Sequence, residues 1–538
     1  MYKCPTCGAG LVFDPKSQQL LCLSCRNKYD PENVENMKLD QARENVELAK
    51  NSYEAVAYKC SHCGAELITT DETITTFCSF CRVGTMLDRK VVVKRKPDYV
   101  IPFSITKEEC EQIYVKRIKK ALLAPKSMID TQEVNKIRGI YMPYWIYTFD
   151  KDGDVYTKGQ KYNHRSGDYV YYDDYSLSTE VKASCQGITH DATSNFWDRL
   201  SETIAPYSVS KKKIFSPAYL SGFYADNEDL DENVYRTDCQ KIAENHISNR
   251  LKKDKEYSRY NAKPHVEMQE ANTELALFPV YYLATKNRTG DRISYAVING
   301  QTGKIAADIP IDFKKLILVA LAVAIPVFVL LNLLFTFNMP TMIFISTLFN
   351  ILSLCILAHQ NKKIETRENE LDDKGLQHKI ALEKAAGGDV QEDTNKKNKK
   401  NKTKGVNRAI TLVAILLIIF APVILEFGIL LFVMNPALAN STLLGIGIIT
   451  MASVITWMIV RKIKHPEKDT SIYKPIIGLL LTVALFCIRP ASDIYYYVTS
   501  FASITLSILA FKNTVDKYNI LTTRKLPGLG KRGGDENA

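Results

Sequence analysis

Eight cysteines stand in two copies of one spacing: Cys4, Cys7, Cys22 and Cys25, then Cys60, Cys63, Cys78 and Cys81. Each copy reads C-x2-C-x14-C-x2-C, and more than sulfur is repeated, since CPTCGAGL (4–11) matches CSHCGAEL (60–67) and CLSCR (22–26) matches CSFCR (78–82). Two Cys-x-x-Cys pairs supply four thiolates that can converge on one point, the donor set of a closed tetrahedral zinc site. Sulfur fills all four positions and leaves none for a reactive water, so the expected cofactors are two structural zinc ions, one per copy. Other chemistries suit these cysteines less well. Disulfides would need an oxidising compartment, and no signal peptide precedes Cys4. Redox exchange does not need four pairs at matched spacing.

The elements that must position these sulfurs follow from the residues between them. Gly8 and Gly64 come just after the second cysteine, where the backbone has to turn with positive φ. Short apolar stretches flank a polar turn in each copy: Leu11–Phe13 with Leu20-Leu21, and Leu67-Ile68 with Thr75–Phe77. The pattern predicts a β-hairpin carrying one knuckle at each end, a zinc ribbon, over 1–29 and again over 59–90. Asp30-Pro31 resembles an N-cap with proline at the first helical position, so a polar helical linker is expected over 30–58, helical to about Ala55.

Residues 91–315 are long enough for a real core and read as an α+β domain with a twisted antiparallel sheet. Thr106 and Glu109 form a capping-box sequence ahead of Cys110, Ile113, Tyr114, Ile118 and Leu122, which share one helical face. A second helix is expected over 233–252. Proline inside an aromatic stretch recurs at Pro143, Pro217 and Pro279, read as strand starts. Strands at 278–286, 292–298 and from Lys304, with Asn299-Gly300 between the last two, predict a meander.

Six apolar runs follow, at 316–337, 341–358, 409–434, 441–460, 474–489 and 494–512. Most have the ~17–25 residues that cross a bilayer as helix. They predict an all-α six-helix transmembrane domain of three hairpins, 316–358, 409–460 and 474–512, joined by a charged loop 359–408 and a short loop 461–473 and followed by a tail 513–538. Residues 1–315 carry 45 Lys+Arg and 43 Asp+Glu, so nearly all of the net +11 belongs to the apolar half, where loop 359–408 alone has 13 basic and 9 acidic residues. Basic segments alternate with nearly uncharged turns. That places both termini, the ribbons and the loop on the cytoplasmic side of a multi-pass cell-membrane protein. Nucleic acid is not an expected partner, because the cysteine-bearing half lacks the basic footprint that phosphate binding needs.

No catalytic constellation is visible, and the chain is read as a non-enzyme. Gly300-Gln301-Thr302-Gly303-Lys304 lacks the spacing of a phosphate-binding loop, and Asp150–Asp154 lacks the closing glutamate of a calcium loop. Glu426 and Arg489 are the ionisable residues expected at membrane depth, candidates for an intramembrane site or a structural pair.

The two CxxCG motifs (4–8 and 60–64) with their downstream pairs, Ile101-Pro102-Phe103, YMPYW at 141–145 and LFPVYYLATK through INGQTGK at 277–304 together resemble bacterial membrane proteins that carry a zinc ribbon of the transcription-factor-IIB type. The resemblance implies an adaptor. Its ribbons would bind a cytosolic or membrane-associated protein, a stomatin-like (SPFH) scaffold among the candidates, at the lipid bilayer in an envelope-stress response. Two ribbons and six spans depart from that pattern. Two other classes remain open: a transporter or channel with a regulatory cytosolic part, and a membrane-tethered nucleic-acid binder.

Overall fold

A computed structural model of the chain describes residues 2–34, 52–60, 65–69, 78–82, 88–251, 259–260, 265–286, 292–334, 339–370, 374–385, 473–488 and 492–525. Contacts divide it into two units: Met1–Pro310 with Leu371–Gly388 and Thr522–Ala538, and Ile311–Glu370 with Asp389–Leu521.

Among the described residues, the first unit contains two sheets. The smaller comprises β1 (Leu11–Asp14), β2 (Gln19–Cys22) and β3 (Lys28–Tyr29) in that order. Its register pairs Leu11 with Cys22 and Phe13 with Leu20, so strand alternation sends Leu11, Phe13 and Leu20 to one buried face. The larger sheet has thirteen strands: β4 (Ser52–Lys59), β5 (Glu66–Thr69), β6 (Asp88–Arg95), β7 (Tyr99–Val100), β8 (Arg138–Ser166), β9 (Tyr169–Asp191), β10 (Lys213–Ile214), β11 (Tyr224–Asp226), β12 (Arg259–Tyr260), β13 (Gln269–Lys286), β14 (Arg292–Asn299), β15 (Ile305–Ala307) and β16 (Arg524–Lys525). Its main path runs β10-β7-β13-β8-β11-β5-β4-β6. The sheet is mixed rather than purely antiparallel, because β13 runs parallel to β7 and β11 parallel to β8.

Aromatic side chains fill the core between sheet and helices. Phe103 stacks on Phe223 and meets Tyr141 and Tyr281 edge-on or tilted, while Tyr144 stacks on Phe278. Helix Lys107–Lys119 has the expected capping box, with Thr106 and Glu109 each bonding the other's backbone, and buries Cys110, Tyr114 and Ile118. Helix Asn233–Leu251 and the β13-β14-β15 meander also follow the sequence pattern. Pro143 and Pro279 lie inside β8 and β13 instead of starting them. Each still offers its carbonyl, Pro143 to the N–H of Ala192 and Pro279 to that of Gly300. Beyond Val155 the β8–β9 hairpin is largely exposed, with Tyr156, Tyr162 and Tyr169 on its surface.

Two corrections concern the fold class. Ser52–Lys59, expected in the helical linker, is a strand, and its buried Tyr53, Ala55 and Ala57 show the period of two. Through β4 and β5 the second cysteine copy joins the thirteen-stranded sheet, so it is no separate small β domain.

The second correction is to the all-α six-helix transmembrane domain and the multi-pass location built on it. Among the described residues, two helices are long and apolar enough to cross a membrane, Phe313–Leu330 and Ile494–Thr522. The run at 474–489 forms Tyr473–Ile488, only 16 residues. That at 341–358 lies in a 32-residue helix, Met339–Glu370, with a buried polar stripe of Ser346, Asn350 and Ser353. Asn350 donates to Ser503 and accepts from Ser507, and Ser346 donates to Ser500, so this seam binds two helices of the second unit by hydrogen bonds. The expected runs 409–434 and 441–460, with Glu426, and also Arg489 lie outside the described residues.

Candidate metal centres

The first cysteine copy brings all four sulfurs together, Cys4, Cys7, Cys22 and Cys25 lying within 4.8 Å of one another. Two knuckles make this possible. In one, the N–H of Gly8 donates to the Cys4 carbonyl (2.8 Å) and that of Cys4 to Ala9 (2.7 Å); in the other, the N–H of Arg26 donates to Cys22 (2.9 Å) and that of Cys22 to Asn27 (2.9 Å). Gly8 has the expected positive φ, +72°. Arg26 takes the equivalent place in the second knuckle at φ +59°, a conformation uncommon outside glycine and asparagine.

Sulfur spacing tests the donor set against the metal. Four bonds of about 2.3 Å to a tetrahedral zinc put the sulfurs about 3.8 Å apart. Cys4 and Cys25 are separated by 3.5 Å, Cys7 and Cys22 by 3.4 Å, and in the second copy Cys60 and Cys81 by 3.7 Å. The residues fit the ion.

Electrostatics agree. Burial opposes the Cys4 thiolate, but the Tyr29 hydroxyl and the N–H groups of Cys7 and Thr6 outweigh it and bring this thiol down to about 6. The N–H of Cys25, then burial in opposition and the N–H of Ser24, leave Cys22 lowered. At Cys25 the Asn27 N–H favours the thiolate, yet burial and the three neighbouring sulfurs push the thiol up to about 12. Four thiolates this close need a cation.

In the second copy Cys60, Cys78 and Cys81 converge and are all buried; Cys63 lies outside the described residues, as does Gly64. The knuckle bonds repeat, with the N–H of Arg82 donating to Cys78 (3.0 Å) and that of Cys60 to Ala65 (2.9 Å), and Arg82 repeats the positive φ at +60°. Either cysteine cluster can hold a metal ion.

Both copies are fastened to the main domain of the first unit. Phe13 donates its N–H to Ser221 and packs its ring 5.3 Å from Tyr219, Gln18 donates to the Phe103 carbonyl, and Lys16 pairs with Glu109. Gly222 permits the approach: at φ +85° it leaves room for Val12, whose Cγ1 would lie 2.5 Å from an added Cβ. The second copy is fixed by Arg82, which donates to the Ala284 carbonyl (2.6 Å) and pairs with Glu133 (2.9 Å), and by Phe80 edge-on to Tyr282. Arg82 escapes a reading that looks for ligands. Its signal was the arginine shared by CLSCR and CSFCR.

The GQTGK stretch is a hairpin turn. Asn299 accepts the N–H groups of Gln301 and Thr302 through its side chain, which closes the turn between β14 and β15.

No family profile matches the chain, and no solved structure matches it. It is 30% identical over 319 residues, 58% of its length, to the uncharacterized protein YdjG of Bacillus subtilis (strain 168), and the match spans 91% of YdjG. The chain belongs to the family of YdjG.

Proposed function

We propose that this member of the YdjG family is a non-catalytic adaptor, with zinc as the ion in both cysteine clusters, whose first ribbon docks a protein partner at a membrane. One observation carries the reading. The outer face of the first ribbon is uncovered: Pro5, Thr6, Cys7, Ser24 and Arg26 are exposed there, and Leu23, in the knuckle between Cys22 and Cys25, is 70% exposed. An apolar side chain on a metal-pinned, rigid loop loses little entropy when a partner covers it. The two apolar helices supply the membrane part. Leu318, Val323 and Phe328 of the first, like Val498 and Phe501 of the second, are exposed, which suits lipid better than water. The resemblance to ribbon-bearing membrane proteins makes stomatin-like scaffold proteins the class to probe first.

The test is co-purification of the detergent-solubilised full chain with a stomatin-like protein of the same cell. Leu23→Glu should abolish it and Leu122→Glu, at a 68% exposed site elsewhere, should leave it intact. Equal recovery with both variants, or none with the unaltered chain, sinks this reading.

A further inference from the structure

Away from the cysteines, three more ligand-bearing side chains converge in the first unit. His190 and Asp191 end β9, and Asp198 opens the helix Asp198–Ile204. One ligand atom from each lies within 4.8 Å of the others. His190 is 8% exposed and Asp191 fully buried.

Asp191 is the informative residue. Among the described residues, neither carboxylate oxygen accepts a hydrogen bond, although buried polar groups are as a rule hydrogen-bonded. Its contact is with His190 Nδ1, 3.2 Å from Oδ1, close enough for charge attraction but not aligned as a hydrogen bond. Asp198, by contrast, is held by its surroundings. The Tyr235 hydroxyl donates to Oδ1 (2.7 Å) and the N–H of Lys374, first residue of the helix Lys374–Ala385, donates to Oδ2 (3.0 Å). Tyr235 also lies flat on the His190 ring, 3.5 Å between centroids and 11° between planes, which fixes the plane of the imidazole. One oriented donor, one anchored carboxylate and one bare carboxylate are the parts of a metal site with its supporting shell.

We propose that His190, Asp191 and Asp198 bind one divalent cation of the manganese or zinc class, independent of the cysteine sites. A neutral imidazole and two carboxylates balance a 2+ charge, and a nitrogen–oxygen donor set without sulfur suits manganese and zinc. The ion would clip the end of β9 to the helix Asp198–Ile204, with Tyr235 holding both the histidine and the second carboxylate.

Manganese separates this site from the cysteine clusters, because it prefers oxygen and nitrogen to thiolate. The experiment is a titration with Mn2+ of the full chain in detergent, carrying two zinc ions per chain so that only the thiolate clusters are filled, free Mn2+ being read by electron paramagnetic resonance. One tight site per chain is expected. Asp191→Asn and Asp198→Asn should each weaken it at least a hundredfold, and Tyr235→Phe about tenfold, as for a supporting partner. Cys4→Ser should leave it unchanged. Circular dichroism checks the fold of each variant, and should Asp191→Asn unfold, His190→Gln takes its place. Absence of a tight site, or one that survives these ligand substitutions in folded protein, overturns the proposal. So does a His190 imidazole whose nuclear resonance stays sharp in saturating Mn2+.

Discussion

The two cysteine copies share spacing, knuckle bonds and even the positive φ of Arg26 and Arg82, yet one keeps the outer face of its knuckles in solvent and the other is built into a sheet. Two positions inside the second knuckle account for the difference. CLSCR places Leu23 and Ser24 outward, both exposed, whereas CSFCR places Ser79 and Phe80 there, both buried, with Phe80 against Tyr282. The following arginine diverges likewise, Arg26 in solvent and Arg82 8% exposed between Glu133 and Ala284. A duplicated metal clip can therefore keep its chemistry while one copy becomes a structural joint and the other stays available.

The largest effect expected from this contrast comes from breaking one clip at a time. Cys60→Ser should destabilise the whole first unit, on the order of 5 kcal/mol or more, because β4 and β5 enter the thirteen-stranded sheet beside that site. Cys4→Ser should loosen only the three-stranded ribbon and leave the large sheet cooperative. Thermal melting with limited proteolysis reads both, and identical melting of the two variants would refute the division into joint and free clip.

Next comes the arginine pair, a cleaner comparison because alanine at either position keeps the same backbone strain. Arg82→Ala should cost about 2–4 kcal/mol, since it strips the buried Ala284 carbonyl of a donor and takes from Glu133 one of its two cations, Lys136 being the other. Arg26→Ala should stay within about 0.5 kcal/mol. Urea denaturation measures the difference.

A pH-dependent effect should follow the strand that receives the second copy. Asp226, paired with Leu67 across β11 and β5, is buried, and burial, with the Asp229 charge adding, pushes its carboxyl up to about 7 against the hydrogen bonds of Thr193, Asn227 and Asn195. The folded chain thus keeps a proton that the unfolded chain has released. Stability from this group is fully present below about pH 4, falls by up to roughly 1.4 kcal/mol per pH unit above it, and is spent once pH passes about 7. In Asp226→Asn this component should vanish, seen as a flatter dependence of Tm on pH between 4 and 8.

How much of this was legible beforehand depended on whether a residue's role is local. Ligand spacing, the turn at Gly8, the capping box at Thr106 and the Asn299 turn are decided within a few residues, and the sequence shows them. Residues 52–59 are different. Strand and polar helix compete there, and the decision lies with partners in β5 and β6 that no local pattern reveals. The same holds for Asp191, an ordinary acidic residue in sequence that becomes conspicuous only when buried with no donor among the described residues. Apolar runs counted by length also overstated the spans: the run 474–489 folds as a helix of only 16 residues, Tyr473–Ile488, and within 341–358 the polar Asn350 is bonded to one neighbouring helix.

The smallest effect on stability should accompany a large effect on binding. Leu23 is exposed and rests on a knuckle already fixed by its sulfurs, so Leu23→Glu should change the unfolding free energy by less than about 0.5 kcal/mol. Phe80→Ala, at the neighbouring position of the other copy, should cost about 3–5 kcal/mol through the cavity left beside Tyr282. Partner capture should show the reverse order, lost in Leu23→Glu and kept in Phe80→Ala at a temperature where that variant remains folded. Loss of capture in both, in proportion to lost stability, would mean that the partner reads the whole fold and not the exposed knuckle. The distinction between the two copies would then be one of packing alone.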